Sequence, residues 1–217
     1  MPKLIIHNSI TLDGSFINFQ PDMAAHYKIA AGFKPQAHLI GSNTIKEGIK
    51  LYGGKVPVET AADFHQPKRS KALPYWVVID TRGSLKGLLH TCRQFELCRD
   101  VIVLVSRKTP KSYLKYLEER DYNHHVLGQD RVNLKQALAF LAKRYGAKRV
   151  MTDTGSILAD LLLDQGLVDE VSLLVHPVVL GQKGKNFFGH LKSGLKLKLK
   201  TQKKLGKGLV WLVYQVN

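Results

Sequence analysis

Residues 148–188 read KRVMTDTGSILADLLLDQGLVDEVSLLVHPVVLGQKGKNFF. The apolar run Arg149–Thr152 predicts a strand, and Asp153-Thr154-Gly155-Ser156 a short turn. From Ile157 to Gln165 the pattern is helical, with Gly166 as its stop. The amides that open such a helix form an anion site, and Gly155 lets a phosphate approach the main chain. A second strand, Val171–Val175, ends at His176-Pro177 and a glycine-punctuated loop. This order predicts a phosphate-bearing cofactor at the C-terminal edge of a sheet.

Working outward, Leu4–Ile6 opens the chain as a strand and Asp13-Gly14 turns it. A helix is expected from Asp22 to about Phe33, with Met23, Tyr27 and Ala30/Ala31 on one side, and Pro35 ends it. Ala37–Ile40 predicts a short strand running into Gly41-Ser42-Asn43-Thr44 and a brief helix. Lys50 to Ala72, with Gly53-Gly54, Pro57 and Pro67, reads as a long loop. Tyr75–Ile79 and Asp100–Val105 are strands. Thr109 and Pro110 read as N-cap and first residue of a helix. His125–Leu127 is a further short strand. Asn133 caps a helix to Tyr145, with Leu134, Leu138, Leu141 and Tyr145 as its stripe and Gly146 as its stop. Leu195–Thr201 and Leu209–Val216 flank Gly206-Lys207-Gly208 as an antiparallel hairpin. Alternating strands and helices imply an α/β fold with a mostly parallel sheet and an antiparallel C-terminal edge. No internal repeat or composition shift marks a boundary, so residues 1–217 read as a single domain.

The charge is lopsided: 33 Lys+Arg against 17 Asp+Glu, net +16. Such a field draws anions. Lys192, Lys196, Lys198, Lys200, Lys203, Lys204 and Lys207 crowd one segment, where Leu195, Leu197 and Leu199 alternate with lysines as a strand with one wet face. No aromatic interleaves them as a base-stacking surface requires, so a lysine-coated edge strand is preferred over a nucleic-acid patch. The longest apolar runs are too short to span a bilayer. The N-terminus lacks a cleavage site and a long apolar region, which makes cytoplasmic location the default. Cys92 and Cys98 fit neither a disulfide framework nor a zinc spacing, and His124-His125 lack a third ligand. No metal site is expected.

Several polar positions fall just past strand ends. Asp13 either orients a polar ligand or simply belongs to an Asp-Gly turn. Gly41, Ser42 and Thr44 either approach a pyrophosphate or cap a helix. Arg82, in Asp80-Thr81-Arg82, and Arg107, after Ser106, either bind a ribose 2′-phosphate through the guanidinium fork or are solvated charges. Asp169-Glu170 and His176 read as structural. No nucleophile–base motif or metalloprotease motif occurs, a poverty consistent with hydride transfer, in which a cofactor carries the chemistry.

Thr11-Leu12-Asp13-Gly14, Ile40-Gly41-Ser42-Asn43-Thr44, Val150 to Ser156 and Gly166 to Phe188 together resemble the dihydrofolate-reductase-like superfamily. Within it, they are most similar to the reductase domain of the bifunctional riboflavin-biosynthesis deaminase-reductase. The resemblance implies a three-layer α/β/α fold and an NADPH-dependent reductase. Its substrate would be a pyrimidine bearing a phosphoribosylamino group, reduced from ribosyl to ribityl. The pyrophosphate would meet the helix starts at Thr44 and at Thr154, Gly155, Ser156 and Ile157. The 2′-phosphate would lie near Arg82, Ser106 and Arg107, with Asp80 among the cofactor-binding residues. Asp13 and Asp153 would orient the substrate, and a homodimer is expected by family analogy. Two departures stand out: Asp153-Thr154-Gly155-Ser156 replaces an acidic residue followed by two glycines, and Ile45–Lys71 lacks an Asp-x-Pro-x-Leu stretch ending in Arg. The alternatives are a reductase of another pteridine or carbonyl substrate, and a basic nucleotide- or nucleic-acid-binding protein without turnover.

Overall fold

The computed structural model describes residues 1–52 and 55–217, so the expected Gly53-Gly54 break lies outside the described residues. The chain divides into two compact units: Met1–Pro2 with Gln36–Lys148, and Lys3–Pro35 with Arg149–Asn217.

In the first unit four strands run in the order β5-β4-β3-β2. They are β2 (Ala37–Gly41), β3 (Tyr75–Ile79), β4 (Val101–Val105) and β5 (Asn123–Val126). Every pairing is parallel, with Gly41 opposite Ile79 and Ile79 opposite Leu104. β4 reads VIVLV and is buried throughout, as a parallel strand covered on both faces requires. Ile40, Val78, Val103, Leu85, Leu89 and Leu117 belong to one core cluster. Because the strands are parallel, residues 41–44, 80–82 and 106–107 follow the C-terminal ends of three neighbouring strands.

Helices α2 (Ser42–Tyr52), α3 (Leu89–Gln94), α4 (Lys111–Glu119) and α5 (Leu134–Tyr145) belong to the same unit. Asn133 caps α5 by accepting from the Gln136 amide at 2.9 Å. Gly146 ends α5 at φ +64, a left-handed position that favours glycine. The reading of Thr109 as N-cap is corrected: Pro110 is the N-cap of α4. The Thr109 hydroxyl instead donates to Thr81 O at 2.9 Å and accepts from the Ser106 amide at 3.1 Å, joining the segments after β3 and β4. The expected loop from Lys50 begins with the last turn of α2 and contains a 3-10 turn at Ala61–Phe64.

The second unit has the order β6-β1-β7-β9-β8. β1 (Lys3–Thr11) pairs in parallel with β6 (Arg149–Thr152) and β7 (Glu170–His176). β9 (Val210–Val216) runs antiparallel to β7 and to β8 (Leu197–Lys204), giving the expected C-terminal hairpin. β6 is short: Thr152 lies opposite Ile6, while β1 continues to Thr11 opposite His176. The turn after β6 therefore starts midway along β1. α6 (Ser156–Asp164) follows, one residue displaced from its expected span.

One expectation on solvent faces needs correction. β8 is an edge strand, but both its faces are largely wet, and Leu199 is 47% exposed. In α1 (Met23–Gly32) the buried residue is His26, while Met23 and Tyr27 are half-buried. Asp22 caps that helix through the Ala25 amide at 3.0 Å.

Candidate active site

In the first unit, Gly41 ends β2 and Ser42 starts α2 directly, so the first-turn amides of α2 sit at the strand end. Buried Ile45 anchors that turn to the core, and Ser42 and Thr44 are half-buried. Asp80 is turned inward. One oxygen accepts from the Ser84 amide at 3.0 Å and the Ser84 hydroxyl at 3.1 Å; the other accepts from the Leu85 amide at 2.8 Å. Its carboxylate thus shapes the turn after β3. Gly83 within that turn has φ +68, and a Cβ there would lie 2.7 Å from Tyr113 Cγ, so only glycine fits without rearrangement. Burial, reinforced by the Asp80 charge, pushes the Tyr113 phenol far above its ordinary range. Ser106 is buried and donates to Asp130 O at 3.2 Å. Of the three residues expected at a 2′-phosphate, Ser106 is engaged by the scaffold, as is the neighbouring cofactor-binding candidate Asp80. Arg82 and Arg107 are exposed on neighbouring loops, and neither guanidinium has a protein partner among the described residues.

In the second unit, Asp13 is a loop fastener. One oxygen accepts from the Thr11 hydroxyl at 2.5 Å, the other from the Leu180 and Gly181 amides at 2.9 and 2.8 Å. The Thr11 bond first, then the Gly181 amide, lowers its pKa from the ordinary carboxylate value. Ser15 continues the join, pairing with Asn186 and accepting from the Lys185 amide at 2.9 Å. Phe16 packs edge-on against Phe187 at 5.6 Å. Residues 11–18 and 178–188 are thereby tied together.

The turn after β6 is held from β1: the Asn8 amide donates to Thr154 O at 2.9 Å. Gly155 is the N-cap of α6, with φ −67 and no side-chain cap. Thr154 and Ser156 are buried, whereas Ile157 is 64% exposed. Asp153 faces a polar group the sequence reading missed: its Oδ2 is 3.8 Å from His26 Nε2. His26 Nδ1 meets Ser9 Oγ at 3.1 Å, and the His7 ring lies tilted against that of His26, with centroids 4.5 Å apart. The available signal was His7 and Ser9, two positions apart on one face of β1.

The remaining acidic and histidine positions are structural. Asp169 accepts from the Leu4 amide at 2.7 Å, and buried Glu170 pairs with Lys3 and Lys200. His176 accepts from the Asp22 amide at 3.0 Å through Nε2 and donates from Nδ1 to carbonyl oxygens of its own strand and β1, tying α1 to β7. Among the described residues no group of three potential metal ligands occurs, and no helix is long and apolar enough to cross a membrane.

The chain is 31% identical over 108 residues to a 2,5-diamino-6-ribosylamino-4(3H)-pyrimidinone 5′-phosphate reductase of Archaeoglobus fulgidus; the match takes in 50% of this chain and 47% of that protein. The chain therefore spans about half the length of that relative. Among solved structures it superposes on Acinetobacter baumannii RibD with a TM-score of 0.69 at 19% identity, covering 100% of this chain and 58% of that one. An Enterococcus faecalis dihydrofolate reductase complexed with NADP(H) superposes with a TM-score of 0.50 at 13% identity, over 99% of this chain and 96% of that one. Both likenesses establish the dihydrofolate-reductase-like fold. The profile of the RibD C-terminal domain matches residues 2–211, and the chain belongs to that family.

Proposed function

We propose that the chain is one functional domain, an NADPH-dependent reductase that converts a phosphoribosylamino-pyrimidine to its ribitylamino product. The observation that carries this reading is the pair of exposed guanidiniums, Arg82 and Arg107, beyond neighbouring parallel strands in a member of this family. Two planar, permanently charged forks suit the dianionic 2′-phosphate that separates NADPH from NADH. In the first unit the α2 amides from Ser42 to Thr44 would hold a phosphate of the cofactor. In the second, the Gly155 N-cap offers the same chemistry, and a side-chain-free residue there fits a close phosphate approach. NADPH, when bound, supplies the hydride.

The protein's own residues bind and orient. Asp153 would face the sugar or pyrimidine, while Asp13 would act by fixing the loop at Leu180-Gly181. The reaction adds a hydride at the sugar C1 and one proton at the ring oxygen as the C1–O bond opens. The name of the Archaeoglobus fulgidus relative supports this substrate class. The absence of an Asp-x-Pro-x-Leu stretch from Ile45–Lys71 makes a pteridine or carbonyl substrate the competing arm of the test.

The cytoplasm is the proposed compartment, in keeping with two buried, unbridged cysteines. A homodimer is proposed as well. Exposed Ile157, Leu161, Val178 and Val179 in the second unit are its candidate contacts, to be checked by sedimentation. Titration of the protein with NADPH and NADH, followed by nicotinamide fluorescence, tests the cofactor assignment. Saturable binding with a clear preference for NADPH is expected; equal affinity for both would reject it.

A further inference from the structure

Two buried imidazoles sit side by side, tilted by 33°, in the second unit, and their partners assign them different work. The Trp211 indole N–H donates to Ser172 Oγ at 2.8 Å. An indole nitrogen is only a donor, so the Ser172 hydroxyl proton is left to point at its other neighbour, His7 Nδ1, at 3.0 Å. His7 Nδ1 therefore accepts, and its Nε2–H donates to the main-chain carbonyl of His26 at 3.2 Å. Both His7 nitrogens are committed in the neutral ring. A second proton would find the Ser172 hydroxyl in the wrong orientation. Burial first, and the neighbouring His26 next, push His7 down to about 3.

His26 is built the other way. Its Nδ1 partner, Ser9, is a hydroxyl that serves as donor to the neutral ring or acceptor from the charged one. Its Nε2 points at Asp153. The groups around it are His7 and Ser9 from β1, Tyr27 edge-on at 5.2 Å from its own helix, and Asp153 from the turn after β6. The buried end of the pair is His26, with 6% of its side chain exposed; the solvent end is Asp153, with 19%. A carboxylate backed by an imidazole with a fixed second partner is restrained in orientation.

We propose that His26 is a positioning residue for Asp153, holding that carboxylate toward the substrate from behind, with Ser9 fixing the imidazole and the Trp211–Ser172–His7 chain fixing the main chain that carries it. This role rests on the reductase reading, and it adds residues from α1 and β1 that no family motif in the sequence contains. His26 touches no substrate; its effect passes through Asp153. The 3.8 Å separation marks an electrostatic contact rather than a hydrogen bond, so small changes in ring position change the carboxylate's restraint.

The test has an arm independent of activity. Side-chain 15N NMR of the wild-type chain is expected to show His7 as the Nε2–H form, and the His26 Nε2 signal is expected to shift in Asp153→Asn while its Nδ1 signal holds. An Nδ1–H form of His7, or an unmoved His26 Nε2, overturns the arrangement. In the kinetic arm His26→Gln keeps an amide donor where Nε2 was, and His26→Asn keeps one only where Nδ1 was. His26→Asn is expected to lose about 10²-fold in kcat with little change in KM or NADPH affinity, and His26→Gln to recover most of it. Thermal unfolding verifies that each variant is folded. If His26→Asn does not fold, Ser9→Ala replaces it and is expected to lower kcat in the same direction. Equal kcat in all folded variants overturns the role. A wild-type chain that oxidises no NADPH with the phosphoribosylamino-pyrimidine overturns the functional reading and the role with it. An active wild type with unimpaired variants overturns only the role.

Discussion

The carboxylate of Asp13 accepts the amide of Gly181 at 2.8 Å, joining the loop after β1 to the loop after β7. A side chain that reads as half of an ordinary Asp-Gly turn is thus a long-range fastener, since the same oxygen also takes the Leu180 amide. Asp13→Asn keeps the size but loses the charge that draws both amides together. Amide hydrogen exchange at Leu180 and Gly181 is expected to accelerate by roughly tenfold or more, with strand amides of β1 and β7 unchanged. Unaltered exchange at both positions would mean the loops are held by other contacts.

Arg82 and Arg107 are the only expected phosphate ligands of the first unit whose side chains are not already engaged by the scaffold among the described residues, apart from the α2 turn. Replacing either with alanine is expected to weaken NADPH by about 1.5–3 kcal/mol, the size of a hydrogen bond to a charged group, while leaving NADH nearly unchanged. Isothermal titration with the two cofactors reads this directly. Equal losses for NADPH and NADH in both variants would remove the 2′-phosphate assignment.

Gly155 occupies φ −67, ψ 169, a conformation open to β-branched residues. Gly155→Val is therefore expected to fold with little change in thermal midpoint, yet to lose cofactor affinity by at least ~10-fold, because its branched Cβ occupies the approach to the α6 amides. A folded variant with normal NADPH affinity would place the phosphate elsewhere.

His7 makes the molecule acid-sensitive over a defined window. Its ordinary value is 6.5 and in the folded chain it falls to about 3. Below pH 6.5 the unfolded chain takes up a proton that the folded chain refuses, so stability is full above 6.5 and declines by about 1.4 kcal/mol per pH unit toward 3. The depressed carboxylates Asp22, Asp63 and Glu170 also favour folding at neutral pH, but their contribution is lost only at more acid pH, near and below about 4. Urea midpoints at pH 7 and pH 5 read this window, which His125 shares because burial lowers it too, so the His7 share is the difference between the wild type and His7→Gln. The wild type is expected to lose stability between them, and His7→Gln, which retains an amide donor, to show a flatter dependence. Identical slopes would contradict the neutral buried ring.

The strand and helix order was legible wherever apolar period decided it. β4 is a fully apolar strand, α5 carries its own cap and stop, and the C-terminal hairpin surrounds a glycine pair. α3 was not legible because its stability lies in distant partners. Buried Arg93 bonds Asp100 at 3.0 Å and Asp63 O at 2.7 Å, and His90 meets Pro57 O at 2.7 Å, none of which a local pattern reveals. The same reason hid the partner of Asp153. His26 belongs to a weakly amphipathic helix, and its burial depends on Ser9 and His7 from another strand. Asp80 and Ser106 looked like ligand groups because they follow strand ends. The geometry spends them instead on turns, since a buried polar group must find a partner nearby.

The central claim is hydride transfer to a phosphoribosylamino-pyrimidine. The most direct measurement follows NADPH absorbance with that substrate, its aminated counterpart and dihydrofolate offered separately. The account predicts stoichiometric NADPH oxidation with one of the two pyrimidines and none with dihydrofolate. No oxidation with either pyrimidine, or oxidation with dihydrofolate alone, would contradict it.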